Sequence, residues 1–420
     1  MRTDYVARRQ FLQHSAAGIA VAASSGLALG ADSTPLPRPA GKTDGSVTTE
    51  ADVLVIGGGT AGTIAAIQAA RAGAKTVLIE RGSQLGGTMT VGGVAFPGLF
   101  HAWGKQVISG IGWELVSESV ALDDGKLPDF TKPTPQHWRH QVHVNQFLYA
   151  ILAEEKCLKA GVTIVYYEFP LSIEKATNGW LVESVGPGTR RQVMCKQIID
   201  CTGGADAVGM LKMPRLREKE TQPGSMLFKC GDAYRTGREQ LQAVYVHGAD
   251  SSTSITRTKA NLAGRKAILK KIRSKRLIHM QPEAACRESY RIQGETVITH
   301  KDYTSGRVFK DAVCFAFYPV DLHTRGGVKP KPLTKGVVPT VPLRALVPKN
   351  SRNIIVAGRS VSSDRLANSG LRVQASCMAM GQAAGAAAAL AAQKNTTPLE
   401  IHLEDIRELL RRHRAIVPSA

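Results

Sequence analysis

The stretch that decides the fold is residues 51–62, which read Ala-Asp-Val-Leu-Val-Ile-Gly-Gly-Gly-Thr-Ala-Gly. A short apolar run leads directly into the pattern G-x-G-x-x-G, and a second apolar run over residues 76–79 ends at Glu80. A strand, a glycine turn, a helix and a second strand that ends in an acidic residue are typical of a βαβ unit that binds a dinucleotide.

Each glycine of the pattern has a physical role in such a unit. Gly57 allows the tight turn after the strand, Gly59 lets the backbone approach a pyrophosphate, and Gly62 lets the helix pack close to the strand. The pyrophosphate would sit at the helix N-terminus, where free N–H groups and the helix dipole favour an anion. Glu80 would accept hydrogen bonds from an adenosine ribose. The alternative is a glycine turn with a purely structural role.

The composition indicates a globular protein with one or two domains. The chain has 420 residues, of which 43% are hydrophobic, and a formal net charge of +20. The densest basic run, residues 265–276, has helical spacing, so we interpret it as a solvated face rather than a nucleic-acid site. Seven scattered cysteines show no metal-binding spacing. We therefore expect no disulfide framework, no bound metal and no nucleic-acid partner.

The N-terminus has the features of a targeting signal. Arg8 and Arg9 precede an alanine-rich stretch over residues 16–31, which predicts a twin-arginine signal peptide over residues 1–31 and a periplasmic or other extracytoplasmic location. The alternatives are a frayed helix and a membrane anchor, but the stretch is short and interrupted by serine, so we expect no stable transmembrane anchor. Residues 32–50, rich in Pro, Ser, Thr and Gly, are predicted to be a linker.

The rest of the chain predicts an α/β fold, in which a Rossmann-like dinucleotide-binding domain carries an inserted α+β domain for the substrate. We assign residues 51–211 to the first part of the dinucleotide-binding domain, residues 212–345 to the inserted substrate domain and residues 346–395 to the second part. Residues 396–420 are predicted to be a C-terminal helix. Its start, from Thr397, reads Thr-Pro-Leu-Glu, the pattern of a capping box.

Further motifs give the chain a family resemblance over residues 51–393. They are Leu-Gly-Gly-Thr at residues 85–88, Asp-Cys-Thr-Gly at 200–203, Ala-Gly-Arg at 357–359 and Gly-Gln-Ala-Ala-Gly at 381–385. In this order the motifs resemble those of the FAD-dependent oxidoreductases whose fold is that of the glutathione reductase and succinate dehydrogenase/fumarate reductase flavoproteins. The resemblance implies that the chain binds FAD and is an oxidoreductase.

The resemblance also implies which residues contact FAD. They are Gly57, Gly59, Thr60, Ala61, Gly62, Glu80, Arg81, Gly86, Gly87, Thr88, Pro170, Thr202, Gly203, Gly358, Arg359, Asp364, Gly381, Gln382 and Ala383. Arg359 stands where many relatives have Asp, so Asp364 is a candidate substitute for the contact with the flavin ribityl chain. The small residues from Gly381, in a helix predicted over residues 378–393, would leave a flat helix end for the flavin. The alternative is that they pack this helix tightly in the core.

Candidate catalytic residues are expected in the inserted domain and on loops near the flavin. Asp321 and His323 stand two apart and so share one face of an extended segment. A carboxylate beside an imidazole is what a general base needs. Arg287 and Arg291 are candidates to hold an anionic substrate or to polarise a carbonyl, and His101 is a further candidate. The alternatives are a structural hydrogen-bonded pair and arginines in interdomain salt bridges.

These features together predict an enzyme that takes a hydride from, or gives one to, a small polar metabolite at flavin N5, with an unidentified electron acceptor. Two alternatives stay open. One is a flavin-dependent isomerase or dehydratase without net redox change. The other is a non-catalytic protein that keeps the fold for binding, as the GDP-dissociation inhibitors do.

Overall fold

The computed structural model describes residues 46–132, 134, 136–231, 240–272, 275–328 and 330–419. The predicted signal peptide, residues 1–31, and most of the predicted linker, residues 32–45, lie outside the described residues.

The described strands form one large sheet and five smaller ones. Their bounds are β1 Ser46–Ile56, β2 Thr76–Glu80, β3 His101–Ala102, β4 Lys105–Gln106, β5 Thr163–Tyr166, β6 Phe169–Ala176, β7 Gly179–Gly186, β8 Thr189–Asp200, β9 Arg215–Leu216, β10 Gly224–Gly231, β11 Gln240–Val246, β12 Arg276–Met280, β13 Arg291–Ile292, β14 Ala312–Phe315, β15 His323–Thr324, β16 Gly327–Val328, β17 Thr340–Pro342 and β18 Ile354–Val356.

The described residues form nine α-helices. Their bounds are α1 Thr60–Arg71, α2 Ile111–Leu122, α3 Gln146–Lys159, α4 Asp206–Met210, α5 Ser254–Lys271, α6 His300–Ser305, α7 Arg365–Leu371, α8 Gln374–Gln393 and α9 Leu403–Arg412. Short 3-10 turns are His137–His140, Leu343–Ala345 and Pro398–Glu400.

The large sheet has the strand order β5-β2-β1-β8-β7-β6, and β18 pairs with the C-terminal end of β8. The neighbours β5, β2, β1, β8 and β18 run parallel, whereas β7 pairs antiparallel with both β8 and β6. The predicted βαβ unit is β1-α1-β2, with Val53 to Ile56 in parallel register with Thr76 to Ile79. A mixed α/β architecture on parallel strands confirms the predicted fold class.

Both faces of the C-terminal part of β1, residues 53–56, are buried, which explains the continuous apolar sequence there. Val53 and Val55 belong to the core cluster that contains α1 and α8, and Leu54 and Ile56 belong to the cluster on the other face, which includes Trp180. Successive side chains of a strand point to opposite faces. A strand that is covered on both sides therefore shows no alternation of apolar and polar residues.

β1 begins at Ser46, inside the segment predicted to be a linker. Residues 46–51 pair in parallel register with residues 190–195 of β8. The side chains of residues 46–50 are mostly exposed, so this part of the strand carries no apolar pattern that a sequence could reveal. The prediction that residues 46–50 belong to the linker is therefore wrong, because backbone pairing rather than burial makes them a strand.

Helices α1 and α8 approach each other closely enough to require glycine. A Cβ atom on Gly381 would lie 2.2 Å from the carbonyl oxygen of Ala61, and one on Gly385 would lie 2.4 Å from that of Ala65. Added atoms at such distances would force the two helices apart. Helix α8 is long and apolar enough to cross a membrane, but 89% of that span is buried inside the protein, where it forms the centre of the main core.

Part of the predicted inserted domain packs separately. β10 pairs antiparallel with β11 and β12, and α5 contacts this small sheet. Its core cluster contains Met226, Phe228 and Ile268. In contrast, Ile298 and Val341, which lie in the same predicted segment, belong to the main core with α1 and α8. The separately packed unit, which we call the cap sheet (β10, β11, β12 and α5), is thus shorter than the segment 212–345 that the sequence predicts.

The C-terminal helix begins later than predicted. Pro398–Glu400 forms a 3-10 turn without a side-chain cap, and α9 follows it. The hydroxyl of Thr397 accepts a hydrogen bond from the backbone N–H of Asn353 at 3.1 Å, and the carboxylate of Glu400 accepts one from the Thr396 hydroxyl. The predicted capping box is wrong because both of its side chains have other partners.

Candidate functional site

A cavity of about 940 Å³ opens at the carboxyl ends of β1, β2 and β8. Ile56, Ile79 and Cys201 line it from the strands of the large sheet, and Leu227 and Tyr245 line it from the cap sheet. The volume lies within the range of pockets that hold small molecules and cofactors. Ligands of open parallel sheets bind at this edge of the strands, so the cavity is the candidate functional site.

At Gly59, in the turn between β1 and α1, the cavity wall carries no side chain. Gly57 has φ +100°, a conformation that favours glycine, and a Cβ atom on Gly62 would lie 1.8 Å from the Gly57 carbonyl oxygen. A Cβ atom on Gly59 would meet no protein atom within 4 Å. Gly59, Thr60 and Ala61 line the cavity, whereas Gly62 lies behind it and supports the turn. A ligand can therefore approach the N-terminus of α1 directly at Gly59.

Glu80 lies at the end of β2 and lines the cavity, as the predicted ribose contact requires. Its carboxylate accepts hydrogen bonds from the backbone N–H groups of Gly58 and Gly82, each at 2.7 Å. A carboxylate has about four acceptor sites, so this one can still accept hydrogen bonds from a ligand. The two backbone contacts hold it in place.

The glycine loop after β2 crosses the turn before α1. Gly86 N–H donates to Gly58 O at 2.8 Å, and the Thr60 hydroxyl donates to Gly86 O at 3.1 Å. Gly87 and Thr88 line the cavity. Gly86 does not: a Cβ atom there would lie 2.6 Å from the Thr90 side chain, so Gly86 serves the packing of the loop and the prediction of a cofactor contact is corrected.

The turn after β8 is built around a buried carboxylate. Thr202 and Gly203 line the cavity, as predicted. Asp200, behind them, accepts hydrogen bonds from the Thr202 N–H at 3.1 Å and the Thr202 hydroxyl at 2.8 Å. Burial and the charge of Asp206 raise the pKa of Asp200 to about 6. Asp200 thus shapes the turn that presents the cavity wall.

Arg359 joins the large sheet to the cap sheet. It lines the cavity together with Gly358, and its guanidinium donates to the carbonyl oxygens of Gly203, at 2.5 Å, and Cys286, and to the Ser251 hydroxyl at 2.7 Å. The Arg359 side chain therefore connects three segments of the chain at this part of the cavity wall.

Asp364, the candidate substitute for the ribityl contact, lies elsewhere. Its carboxylate caps helix α7 by accepting from the Ala367 N–H at 2.8 Å, and it also accepts from the His300 N–H at 2.5 Å. It does not line the cavity. The prediction is corrected because both carboxylate oxygens serve helix ends.

Helix α8 begins at Gln374, four residues before the predicted start at residue 378. Val373, Gln374 and Cys377 consequently line the cavity. The Gln374 amide accepts from the Thr60 hydroxyl at 3.1 Å and donates to Val94 O at 2.7 Å. It thereby ties the start of α8 to the wall around α1.

Gly381, Gln382 and Ala383 are two turns further along α8 and do not line the cavity. Gly381 packs on α1, Ala383 is fully buried, and the Gln382 amide bonds to the Ile111 N–H and to Gln68. These three predicted flavin contacts are corrected: the small residues pack the helix in the core, which was the alternative interpretation.

Two further predicted cofactor residues lie at the cavity. Pro170 lines it from the start of β6, and Arg81 lines it just after β2. The Arg81 guanidinium pairs with Glu283 at 3.1 Å, so Arg81 links the large sheet to the segment after the cap sheet.

A cluster of titratable side chains forms another part of the cavity wall. Arg287, Tyr318, Asp321, His323 and Arg372 line this part, which we call the arginine end. Asp321 Oδ2 lies 3.1 Å from His323 Nε2 and 3.6 Å from Arg372 Nη2. Burial alone would raise the pKa of Asp321, but the hydrogen bond with His323 and the charge of Arg372 outweigh it and hold that pKa below its usual value. Burial raises the pKa of Tyr318 to about 12, so its hydroxyl stays protonated.

A buried polar chain positions His323. Its backbone N–H donates to Gln222 Oε1 at 2.9 Å. The Gln222 side chain and backbone donate in turn to Glu288, at 2.8 and 2.6 Å, and Glu288 pairs with Arg365 at 2.8 Å. The sequence analysis missed Gln222, Glu288 and Arg372, and no local motif marks any of them.

Arg291 and His101 are absent from the cavity. Arg291 is 4% exposed and donates to Ser363 O at 3.0 Å while it pairs with Glu218 at 2.7 Å. It therefore forms a structural salt bridge, but one within the predicted inserted segment rather than between domains. His101 stacks on Phe130 with ring centroids 3.7 Å apart, and burial lowers its pKa to about 4. Both catalytic predictions are corrected because neither side chain reaches the cavity.

Within the described parts of the chain, no group of three or more His, Cys, Asp and Glu side chains is arranged to hold a metal ion. The seven cysteines, all among the described residues, are free.

Comparisons with known proteins place the chain in a family. The model of the family described as "FAD dependent oxidoreductase" matches residues 52–267 and 218–410. No curated protein matches the chain in sequence.

Solved structures that resemble the chain include OxyS, an anhydrotetracycline hydroxylase from Streptomyces rimosus (13% identity, 87% of this chain and 66% of that one, TM-score 0.44). Others are BexE, from work on oxidation during BE-7585A biosynthesis (12%, 87% and 66%, TM-score 0.48), and a flavoprotein/dehydrogenase from Cytophaga hutchinsonii (14%, 86% and 83%, TM-score 0.43). The chain spans just under two thirds of the length of OxyS and of BexE.

The described residues fit FAD. The bare backbone at Gly59 and the N-terminus of α1 suit a diphosphate, and the Glu80 carboxylate at the end of β2 suits a ribose. The chain belongs to the FAD dependent oxidoreductase family.

Proposed function

We propose that this oxidoreductase dehydrogenates or reduces a small polar metabolite at the arginine end of the cavity. The observation that carries the proposal is the hydrogen-bonded pair of Asp321 and His323 on the cavity wall. When bound, FAD would accept or donate the hydride at its N5 atom. The protein then has to bind the substrate and move a proton.

The residues that would hold FAD line the same cavity. The backbone of Gly59 and Thr60 at the start of α1 would bind the diphosphate, and Glu80 would bind the adenosine ribose. Gln374 would act indirectly, because both of its amide atoms already bond to Thr60 and Val94. Gln374 thereby holds the part of the cavity wall around Thr60 and Val94 in place.

His323 is proposed to move the proton. Asp321 is held as a carboxylate, and a carboxylate accepts hydrogen bonds, so His323 Nε2 carries the proton of the bond between them. This tautomer leaves Nδ1 as the atom that can accept a proton from a substrate. The backbone bond to Gln222 and the bond to Asp321 hold the residue from two sides, which supports a role that needs fixed geometry.

The experiment that tests the proposal is anaerobic mixing of the FAD-loaded protein with a panel of small polar metabolites, followed by flavin absorbance. Bleaching of the bound flavin by a member of the panel is the expected result, and in the reverse direction the oxidised product of that compound should restore the absorbance of flavin that has been reduced beforehand. Turnover without bleaching would support the isomerase or dehydratase alternative instead. Neither bleaching nor turnover with any compound would contradict both.

We also propose that the enzyme is exported through the twin-arginine route and works outside the cytoplasm. The sequence around Arg8 and Arg9 supports this. Replacing both arginines by lysine should retain the protein in the cytoplasm of the producing cell, as measured by fractionation. Unchanged export of the double variant would contradict the proposal.

A further inference from the structure

Two arginines approach the cavity from different parts of the chain. Arg287 follows the cap sheet and Arg372 lies between α7 and α8, and both line the arginine end. The side chain of Arg372 is only 12% exposed. Burial and, to a smaller extent, the positive charge of Arg372 lower the pKa of Arg287 to about 10. The Arg287 guanidinium lies 5.6 Å from the centre of the Tyr245 ring, which in turn lies 6.0 Å from the His323 ring. Arg372 Nη2 lies 3.2 Å from Asp321 O, so the two guanidinium groups border the same Asp321–His323 pair.

The carboxylates nearby do not balance this charge. Asp321 shares its Oδ2 atom between His323 and Arg372. Glu288 is committed to Arg365, at 2.8 and 3.1 Å, and to Gln222. Among the described residues at this end, two arginines face one available carboxylate. The arginine end therefore holds one positive charge in excess.

Both arginines also have unused hydrogen-bond donors. Arg372 Nε is buried and has no partner among the described residues, and its Nη2 makes only long contacts, 3.2 Å to Asp321 O and 3.4 Å to Gln222 Oε1. Arg287 donates through Nη1 to Pro223 O and to the Ser225 hydroxyl. A buried charged donor without a partner is costly, so a ligand that accepts from these groups would remove that cost.

We propose that the substrate is an organic monoanion whose carboxylate binds to Arg287 and Arg372 beside the Asp321–His323 pair. This rests on the proposed function and names the substrate class of the same site. Guanidinium groups present planar pairs of donors that match a carboxylate, and one negative charge cancels the excess. The rings of Tyr245 and Tyr318 line the same cavity, and they would contact the less polar part of the molecule.

The test uses the FAD-loaded protein and the visible spectrum of its flavin, which reports a ligand bound close to it. Acetate, glycolate and benzoate are titrated against their neutral amides and against inorganic phosphate. The carboxylates should perturb the spectrum saturably, and the amides should bind about 10-fold or more weakly, because they lack the charge-assisted bonds. Equal binding of acids and amides, binding of phosphate alone, or no binding at all would overturn the proposal.

Substitutions of the two arginines test where the carboxylate binds. Arg372→Gln and, independently, Arg287→Gln should each weaken carboxylate binding about 10-fold or more while flavin stays bound, and Arg287→Lys should restore part of the loss. Arg325→Gln is the matched control, because Arg325 is an exposed arginine of the nearby β15–β16 turn that does not line the cavity. Unchanged carboxylate binding in the glutamine variants that retain flavin would overturn the proposal.

The outcome separates this inference from the function on which it rests. A protein that holds flavin and is bleached only by neutral polar compounds would retain the proposed function and lose the carboxylate assignment. A protein that is bleached by no compound but binds carboxylates at the two arginines would lose the proposed function and retain the anion site.

Discussion

His323 Nε2 lies 3.1 Å from Asp321 Oδ2, and the two side chains bridge one intervening residue on the wall of the cavity. Arg372 lies 3.6 Å from the same carboxylate oxygen. The carboxylate stays ionised because these two partners outweigh the effect of its burial on the pKa. The bond to Asp321 therefore fixes the tautomer of the His323 imidazole, which faces a ligand bound at the arginine end.

Replacing His323 by Gln should slow bleaching of the flavin by a substrate about 100-fold or more, because general base catalysis typically contributes at least that much. Flavin content should not change, since His323 is not among the residues that would hold FAD. The measurement is single-turnover anaerobic absorbance. His247→Gln is the control, because His247 is exposed and lies outside the cavity. Equal rates for His323→Gln and the wild type would remove His323 from the mechanism.

Replacing Gly381 by Ala should lower the free energy of unfolding of the apoprotein by about 1–3 kcal/mol. The added Cβ atom would lie 2.2 Å from the backbone oxygen of Ala61, so α1 and α8 would have to separate. Urea unfolding measures the effect. Gly326→Ala is the control, because a Cβ atom there would meet only the Thr324 side chain, at 3.8 Å. Helix propensity alone favours Ala, so a more stable Gly381→Ala protein would contradict the close packing.

Glu114 should stabilise the fold in a pH-dependent way. Its carboxylate on α2 bonds to Arg71 of α1, at 3.0 Å through both oxygens, and to Lys156 of α3 at 2.8 Å. The hydrogen bonds from Arg71 lower the pKa of Glu114 to about 2, against the opposing effect of burial and with further help from Lys156. Folding thus favours the ionised form.

Because the pKa is lower in the folded state, this stabilisation is complete above the ordinary value of 4.5 and disappears as the pH falls towards 2. Glu114→Gln should cost about 1–2 kcal/mol at pH 7, a figure reduced for the partial exposure of the side chain, and much less at pH 3. Urea unfolding at both pH values tests this. Glu155→Gln, which removes an exposed pair with Lys159, should change little. A constant cost of Glu114→Gln across this range would refute the linkage.

The features that the sequence predicted correctly are local. A strand, a Gly turn and a helix follow one another within residues 51–71, and the positive φ of Gly57 is a property of a single residue. Buried parallel strands also appear in the sequence as uninterrupted apolar runs. The cofactor and the fold class could therefore be predicted from motifs of a few residues.

The features that the sequence did not reveal depend on contacts between distant residues. His323 is positioned by Gln222, 101 residues away, and Arg372 is one of 54 basic residues, with no motif around it. Gly381 was assigned to the flavin because the start of α8 was placed four residues too late. A short error at a helix end turns a packing residue into an apparent ligand residue, and only the tertiary structure distinguishes the two.

Gly59 offers the sharpest test of where FAD binds. Its backbone is extended, with φ −67° and ψ −175°, a conformation open to any residue, and a Cβ atom on it would meet no protein atom within 4 Å. Gly59→Val should therefore leave the unfolding transition of the apoprotein unchanged. The same side chain would project into the space that the diphosphate needs.

The decisive measurement is the dissociation constant of FAD for Gly59→Val, the wild type and the exposed control Gly326→Val, read from flavin fluorescence during titration of the apoprotein. The wild type and the control should bind one FAD per chain with equal affinity, and Gly59→Val should bind about 10- to 100-fold more weakly, as expected for a steric overlap. Unchanged FAD affinity in a folded Gly59→Val protein would contradict the account, because the cofactor would then not lie against the start of α1.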